Sequence, residues 1–188
     1  MRLNNIKHIA VFLLLFCLVG CAGVGTVSDH ALVGVDGVVC AGQIEMPPVG
    51  LVEAEDTDLL TKSLGASGEG KLCAGRVFVA KQPVTVYRVW NSEKSYTVYG
   101  GWWSFNQPMG PKKKYREDNE ICPSWSALDR MTSCTIKVGT KIVVGPGQSA
   151  QCEAFTYAKS AVNQVYVPND SRNAVVLVEN CTEGVVWP

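Results

Sequence analysis

Short runs of β-branched and aromatic residues, separated by glycine, proline, asparagine or aspartate, fill the second half of the chain. Such runs are typical of β-strands bounded by turns. The pattern predicts six strands, at residues 76–79, 85–90, 135–138, 141–144, 163–167 and 174–178. The tripeptide Val138-Gly139-Thr140 predicts a tight turn between two of these strands.

Helical patterns are fewer and shorter. Residues 56–64 predict a brief helix, and residues 115–121 and 124–130 predict one or two turns each, the latter with Ser124 as N-cap. Residues 152–161 are a further helical candidate. Few helices beside six short strands predict a domain of the α+β class that is mostly β.

The composition changes near residue 71. All five Trp and all six Tyr follow Cys73, whereas residues 22–70 have no aromatic residue and are rich in Gly, Val, Ala, Ser and acidic residues. The change predicts a flexible tether over residues 21–70 and one globular domain over residues 71–188.

An apolar run over residues 9–19 follows Arg2 and Lys7. It is too short for a membrane-spanning helix, which needs about 20 apolar residues, and its charged start and small-residue end are typical of an export signal.

Residues 18–21, Leu-Val-Gly-Cys, resemble the lipobox of bacterial lipoproteins. The resemblance implies cleavage after residue 20, acylation of Cys21 and an anchor in the cell envelope. A membrane-spanning or buried helix is the alternative. Ala22, the next residue, is similar to the sorting signal for the outer membrane.

Six cysteines remain after Cys17 is removed with the signal and Cys21 is acylated. An even number in an oxidising compartment, with no C-x-x-C spacing and only His30 as histidine, predicts three disulfides and no metal site. Cys122 with Cys134, and Cys152 with Cys181, are candidate pairs among fifteen possible pairings. A reactive thiol is the alternative, but no histidine is present to activate one. The six are Cys40, Cys73, Cys122, Cys134, Cys152 and Cys181.

The charge balance argues against a nucleic-acid partner. Without Arg2 and Lys7, 15 basic residues face 17 acidic ones, a net charge near −2. The one basic run, residues 112–116, is followed at once by Glu117, Asp118 and Glu120, which predicts a solvated segment rather than a phosphate-binding patch.

Four motifs follow one another in the second half of the chain. They are residues 87–90 (Tyr-Arg-Val-Trp), 100–105 (Gly-Gly-Trp-Trp-Ser-Phe), 138–151, and 163–168 (Asn-Gln-Val-Tyr-Val-Pro). Over residues 83–170 this order resembles the ADP-ribosyltransferase-like toxins, in particular the NAD-degrading, necrotising-toxin-type subgroup. The resemblance implies a split-sheet fold, NAD as substrate and no bound cofactor.

The same resemblance implies roles for two of the motifs. Arg88 would pair with the pyrophosphate of NAD through its guanidinium, which suits phosphate geometry. Trp102 and Ser104 would line the nicotinamide pocket, while Trp103 and Phe105, on the other face of the strand, would pack in the core. The alternative for Arg88 is a structural side chain. Because it shares a strand face with Val84, Val86 and Trp90, we expect it to be partly buried and paired.

Gln164 lies where transferases of the superfamily carry a catalytic glutamate. A neutral amide orients a ribose hydroxyl or a water but does not act as a base, so Gln164 favours hydrolysis over transfer to a protein. The chain departs from the subgroup in having no histidine between Cys73 and Pro188.

Two functions from different classes follow. The first is a lipid-anchored, toxin-like domain that hydrolyses NAD and releases nicotinamide, with Arg88 and Gln164 as catalytic residues. The second is a non-catalytic surface or periplasmic lipoprotein that binds a protein partner or belongs to an envelope machine. Because NAD is scarce outside the cytoplasm, only the first needs an external supply of substrate. A resemblance of fold does not decide between them.

Overall fold

The computed structural model describes residues 31–188; the predicted signal and Cys21 lie outside the described residues. Strands dominate this part of the chain, beside two short α-helices, α1 (Thr57–Ser63) and α2 (Lys112–Asp118), and two 3-10 helices at Ser95–Tyr99 and Ser171–Asn173. No helix in it is long and apolar enough to cross a membrane. The strands are β1 (Leu51–Glu53), β2 (Arg76–Ala80), β3 (Val84–Trp90), β4 (Trp102–Trp103), β5 (Arg130–Ile136), β6 (Lys141–Pro146), β7 (Ala150–Gln151), β8 (Thr156–Tyr157), β9 (Asn163–Tyr166), β10 (Val178–Glu179) and β11 (Val185–Val186).

The strands form antiparallel sheets, so the mostly β prediction is confirmed. Sheet I has the order β1-β2-β6-β9-β4. In sheet II, β5 pairs with β3 along one edge and with β10 and β11 along the other. The two sheets meet where Tyr87 of β3 and Ser104, just after β4, exchange backbone hydrogen bonds of 2.8 and 2.9 Å.

The main core lies between the sheets. Alternate residues of each strand point to one face, so each sheet supplies one row of apolar side chains per strand. Trp103 is 3% exposed in this core and Phe105 packs against it, as predicted. The buried members are Phe78, Ala80, Val84, Val86, Trp103, Cys134, Ile136, Ile142, Val144, Val165, Val167 and Val178.

Helix α1 covers the outer face of sheet I. The Asp56 carboxylate caps it by accepting a hydrogen bond of 3.0 Å from the backbone N–H of Leu59, which confirms the predicted brief helix. Leu59 packs with Leu72, Val77 and Val143 in a second, smaller core.

Two helical predictions are wrong. Residues 124–130 form an irregular loop, in which Leu128 has a φ of +53°. Residues 152–161 contain β8, which pairs with β7, in place of a helix. The third, at residues 115–121, lies three residues too far along the chain, since α2 spans Lys112–Asp118.

Strand positions agree except in two places. β5 begins at Arg130 and ends at Ile136, earlier than the predicted residues 135–138. Of the predicted strand at 174–178, only its last residue lies in β10. The predicted turn is present, with the Thr140 N–H donating to the Lys137 carbonyl at 3.1 Å, and it connects sheet II to sheet I.

The N-terminal boundary differs from the predicted one. From Ala31 onwards, the segment expected to be a flexible tether over residues 21–70 belongs to the same compact unit as the rest of the described chain. β1 pairs with β2, and a disulfide joins Cys40 to Cys73. Composition suggested a tether because this segment lacks aromatic residues, but backbone pairing and a disulfide hold it without them.

The six predicted cysteines form three disulfides: Cys40–Cys73, Cys122–Cys152 and Cys134–Cys181. Both candidate pairs suggested by proximity in sequence, Cys122–Cys134 and Cys152–Cys181, are wrong. Cys134 lies on β5 in the core between the sheets, while Cys122 lies in a separate buried cluster beside β7. The bonds therefore connect segments that the fold brings together.

Candidate functional site

A cleft of about 370 Å³ opens where β3, β4 and β9 face the loop after α2. Its volume is near the lower end of the range for small-molecule sites, about 300–1,000 Å³. Three residues predicted for the site, Arg88, Trp102 and Gln164, line it. The full lining is Glu69, Lys71, Arg88, Val89, Trp102, Trp103, Tyr115, Asn119, Glu120, Ile121, Trp125, Ser126, Leu128 and Gln164.

Ser104, the fourth predicted site residue, does not line this cleft. It lines a neighbouring depression of about 420 Å³, together with Asn106 and Asn163. Its hydroxyl donates to the Asn106 carbonyl at 2.7 Å, within its own turn. The structure thus separates Ser104 from the other three residues.

Arg88 is fixed by backbone carbonyls. Its Nε donates to the Thr97 carbonyl at 2.8 Å and its Nη1 to the Trp102 carbonyl at 2.5 Å. The guanidinium lies so close to Gly100 that a Cβ there would stand 2.1 Å from Nη2. The predicted partner of a partly buried arginine is therefore found in the main chain. Nη2 donates to no residue of the described part of the chain.

Burial shifts the pKa of two groups that line the cleft. Desolvation lowers the pKa of Arg88 to about 10, which leaves it protonated at neutral pH. Desolvation also raises the pKa of the Tyr115 hydroxyl to about 12, so that tyrosine is neutral there.

Trp102 is half-buried, and its ring packs against Tyr166 with 4.9 Å between the ring centroids. Both side chains pack against the small core under α1. Tyr166 therefore contacts part of a ring that was expected to line the nicotinamide pocket.

Gln164 is 5% exposed, and its amide is held from one side. Its Nε2 donates to Glu120 Oε2 at 2.7 Å and, more weakly, to the Asn119 carbonyl at 3.5 Å. No described residue donates to its Oε1. The pair fixes which end of the amide faces Glu120 and leaves Oε1 as an acceptor.

Glu120 is the functional candidate that the sequence did not reveal. It is 1% exposed, and its Oε1 has no partner in the described structure. Desolvation raises the pKa of its carboxyl to about 9, so the group is neutral at pH 7. In the sequence it ends a charged run and looks like one more solvent-facing carboxylate.

A glycine makes room for this carboxyl. A Cβ at Gly147 would stand 2.2 Å from Glu120 Oε2, a separation that real atoms do not adopt. Glu120 itself has a φ of +48°, in the left-handed region that most residues avoid. Backbone geometry and the small residue together place the carboxyl against Gln164.

Arg116 holds the loop that forms one wall of the cleft. It is 9% exposed, and its guanidinium donates to the carbonyls of Ile121, Cys122, Ser126 and Ala127 at 2.7–3.3 Å. The basic run of residues 112–116 is thus only partly the solvated segment that was predicted, since Arg116 is internal.

The cleft carries a small positive charge. With Glu120 and Tyr115 neutral, its charged side chains are Arg88, Lys71 and Glu69, one net positive charge. Aromatic walls with a few polar groups suit a flat ring, and the excess positive charge suits an anionic group, such as a phosphate, on the same ligand.

Among residues 31–188, no group of three or more His, Cys, Asp and Glu side chains is arranged to hold a metal ion. The six cysteines predicted to be oxidised are all in disulfides, so none of them is available as a nucleophile.

Comparisons with known proteins found no protein-family model, curated protein or solved structure that matches the chain.

Proposed function

We propose that the protein is an NAD glycohydrolase whose cleft binds the nicotinamide–ribose end of NAD. The observation that carries the proposal is the convergence of Arg88, Trp102 and Gln164 on one cleft from three strands, β3, β4 and β9. The split-sheet arrangement of the ADP-ribosyltransferase-like toxins is part of the same proposal.

The proposed reaction breaks the bond between the nicotinamide nitrogen and ribose C1′. The electron pair leaves with the ring, which departs as neutral nicotinamide without needing a proton. A water then adds to the oxocarbenium-like C1′ and releases a proton to solvent. The protein contributes position and electrostatics, which are large terms in catalysis.

Gln164 is the orienting residue in this mechanism. Because its Nε2 is committed to Glu120, its Oε1 is left to accept a hydrogen bond from a ribose hydroxyl or from the attacking water. Glu120, neutral at pH 7, acts through Gln164 by fixing the orientation of the amide.

Arg88 contributes positive charge near the pyrophosphate. Two of its three nitrogens already donate to carbonyls. Nη2 lies against Gly100, which lines a separate depression together with Arg88, and it is the group left for a phosphate oxygen outside the cleft. A cleft of about 370 Å³ suits one ring and its ribose, so the adenosine half is expected to lie outside it.

Attachment to a membrane is a separate part of the proposal. Acylation of Cys21 would tether the domain to the outer membrane, since two or more acyl chains hold a protein far more firmly than one. Cys21→Ser should abolish incorporation of a labelled fatty acid. Label retained by the serine variant would contradict the anchor.

The test of the enzymatic proposal is nicotinamide release by the purified, oxidised protein supplied with NAD. We expect activity in the wild type and its loss in Gln164→Ala. Ser104→Ala is the matched control, because Ser104 lines the neighbouring depression and should leave activity unchanged. A folded wild type that neither binds nor consumes NAD would contradict the proposal.

One observation favours the non-catalytic alternative, a lipoprotein that binds a protein partner. Arg88 and Gln164 already donate to groups of the protein itself, so both have a structural role without any ligand. Under this alternative, variants of both residues would change stability, and NAD would bind to neither the wild type nor the variants.

A further inference from the structure

A small hairpin at residues 33–39, here called the valine hairpin, projects from the start of the described chain. Val33 and Val39 form an antiparallel bridge, and the Gly34 N–H donates to the Val38 carbonyl at 2.9 Å. The disulfide Cys40–Cys73 fixes the base of the hairpin to the domain.

The polarity of this hairpin is inverted. Its one charged side chain, Asp36, points inwards, where it accepts hydrogen bonds from Lys159 Nζ at 3.1 Å and Gln148 Nε2 at 3.2 Å. Its four valines point outwards and are 54–60% exposed; they are Val33, Val35, Val38 and Val39. A loop that faces water normally has the opposite arrangement, and a contiguous exposed apolar patch marks a contact surface.

The polar contacts hold the inner side of the hairpin against the domain and balance its charge. Asp36 and Lys159 are 11% and 13% exposed, so their charges neutralise each other inside the protein. Lys159 Nζ also donates to the Val38 carbonyl at 3.0 Å, on the inner side of the hairpin. The outer surface therefore presents apolar side chains without an accompanying unpaired charge.

We propose that the valine hairpin contacts the lipid bilayer that holds the acyl chains of Cys21. The proposal depends on the predicted anchor and is independent of NAD hydrolysis. Val33 follows Cys21 by twelve residues, and twelve residues reach at most about 40–43 Å when fully extended, at about 3.3–3.6 Å each. The length of the chain therefore keeps this apolar patch within reach of the membrane surface. Transfer of apolar side chains from water into the bilayer is favourable in free energy.

The experiment uses acylated, full-length mature protein in vesicles of phosphatidylethanolamine and phosphatidylglycerol with brominated acyl chains, which quench tryptophan on contact. Tryptophan replaces one hairpin residue at a time, as Val35→Trp or Val38→Trp, and the wild-type signal is subtracted. Val138→Trp is the matched control, since Val138 is 59% exposed in the turn between β5 and β6. We expect at least twofold more quenching at the hairpin positions than at the control.

A measurement on unmodified protein guards against effects of the tryptophans. Backbone amides of residues 33–39 should exchange hydrogen more slowly when the acylated protein is bound to vesicles than when it is held in small, detergent-free nanodiscs. The lipid area of such nanodiscs is too small for the domain to lie on it beside the anchor. Equal quenching at all three positions, with unchanged exchange, would overturn the proposal.

Other occupants give other results. Association with a second copy predicts concentration-dependent dimers that Val35→Asp abolishes, with no preferential quenching by lipid; this outcome would overturn the bilayer contact. Failure of the vesicles to retain the protein would overturn it together with the anchor. Nicotinamide release, measured on the same samples, reports separately on the proposed enzymatic function.

Discussion

The side chains of Glu120 and Gln164 form a buried pair in which the amide Nε2 of Gln164 donates to Glu120 Oε2 at 2.7 Å. The two residues are 44 positions apart in the sequence. Glu120 follows α2 and Gln164 lies on β9, so the pair links the loop wall of the cleft to sheet I.

The first prediction concerns the pH dependence of stability. The pKa of the Glu120 carboxyl is raised from 4.5 to about 9 in the folded protein, mainly by desolvation. Between these values the folded state keeps a proton that the unfolded state has lost. The free energy of unfolding therefore falls as pH rises through this window, by at most about 1.4 kcal/mol per pH unit.

Glu120→Gln keeps the shape of the neutral carboxyl and removes its titration. We expect this variant to be about 1–3 kcal/mol more stable than the wild type at pH 7 to 8, and to lose that part of the pH slope. Urea unfolding at pH 5, 7 and 9 measures it. The control is Glu117→Gln on the exposed side of α2. Parallel pH slopes for the wild type and Glu120→Gln would show that the carboxyl is ionised in the fold.

The second prediction tests the close approach at Gly147. In Gly147→Ala the new Cβ would collide with the Glu120 carboxyl, so we expect a loss of about 1–3 kcal/mol, typical of overpacking. Glu120→Ala in the same chain should recover part of that loss. A double-mutant cycle measures the coupling. Strictly additive effects would mean that the backbone at residue 147, rather than the carboxyl, sets the need for glycine.

Much of the sheet architecture could be predicted from local pattern. β2, β3, β6 and β9 are short runs with strong strand preference between clear breakers, and local preference and fold agree there. The helix at residues 124–130 was predicted wrongly because Arg116, from outside the segment, binds its carbonyls and stabilises an irregular loop. Such a contact leaves no pattern in the sequence of the segment itself.

The site residues also divide into those that local sequence pattern predicts and those that it does not. Arg88, Trp102 and Gln164 could be proposed from motifs on strands, because strand residues keep fixed spacing and direction. Glu120 could not, since its burial and neutral state arise from Gly147 and Gln164, which follow it by 27 and 44 residues. Ser104 lines the neighbouring depression because the chain passes from sheet I to sheet II immediately after β4, where Ser104 pairs with Tyr87 of β3.

The third prediction separates orientation from charge at residue 164. Gln164→Glu would place two carboxyl groups at the distance of one hydrogen bond, where they cannot both ionise, and would remove the donor. We expect a folded protein below about pH 6 whose stability drops by about 2–4 kcal/mol at pH 8, as for a broken buried polar pair.

The exchanged pair provides the control. Glu120→Gln combined with Gln164→Glu restores one amide donor and one carboxyl acceptor, and should recover stability at neutral pH. NAD turnover, if Gln164 orients the reacting groups through Oε1, should fall at least tenfold in Gln164→Ala with a smaller change in KM. A change confined to KM would assign Gln164 to binding alone.

The fourth prediction concerns Arg88. Lysine keeps the charge but cannot reach the Thr97 and Trp102 carbonyls with a planar fork, so Arg88→Lys should lose about 1–3 kcal/mol of stability. Arg76→Lys is the control, because Arg76 is exposed and its ion pair with Glu53 lies on the surface. Thermal unfolding gives the stability, and calorimetric titration with NAD gives the binding. Weaker NAD binding by a fully folded Arg88→Lys would place a phosphate at Nη2.

The fifth prediction uses the disulfides to separate the cleft from the rest of the fold. Cys122–Cys152 ties the loop that carries Glu120 and Trp125 to the segment after β7, whereas Cys40–Cys73 fixes the base of the valine hairpin and joins no segment that carries Glu120. Replacing either pair by serine should cost about 2–4 kcal/mol, the usual value for a disulfide. Only loss of Cys122–Cys152 should also remove the pH dependence due to Glu120, because a mobile loop admits water to the carboxyl and returns its pKa towards 4.5.

Proteolytic mapping of the oxidised chain checks the pairing, and urea unfolding at pH 5 and 9 checks the coupling. Equal loss of the pH dependence in both serine variants would mean that Glu120 reports on global stability instead of on its loop.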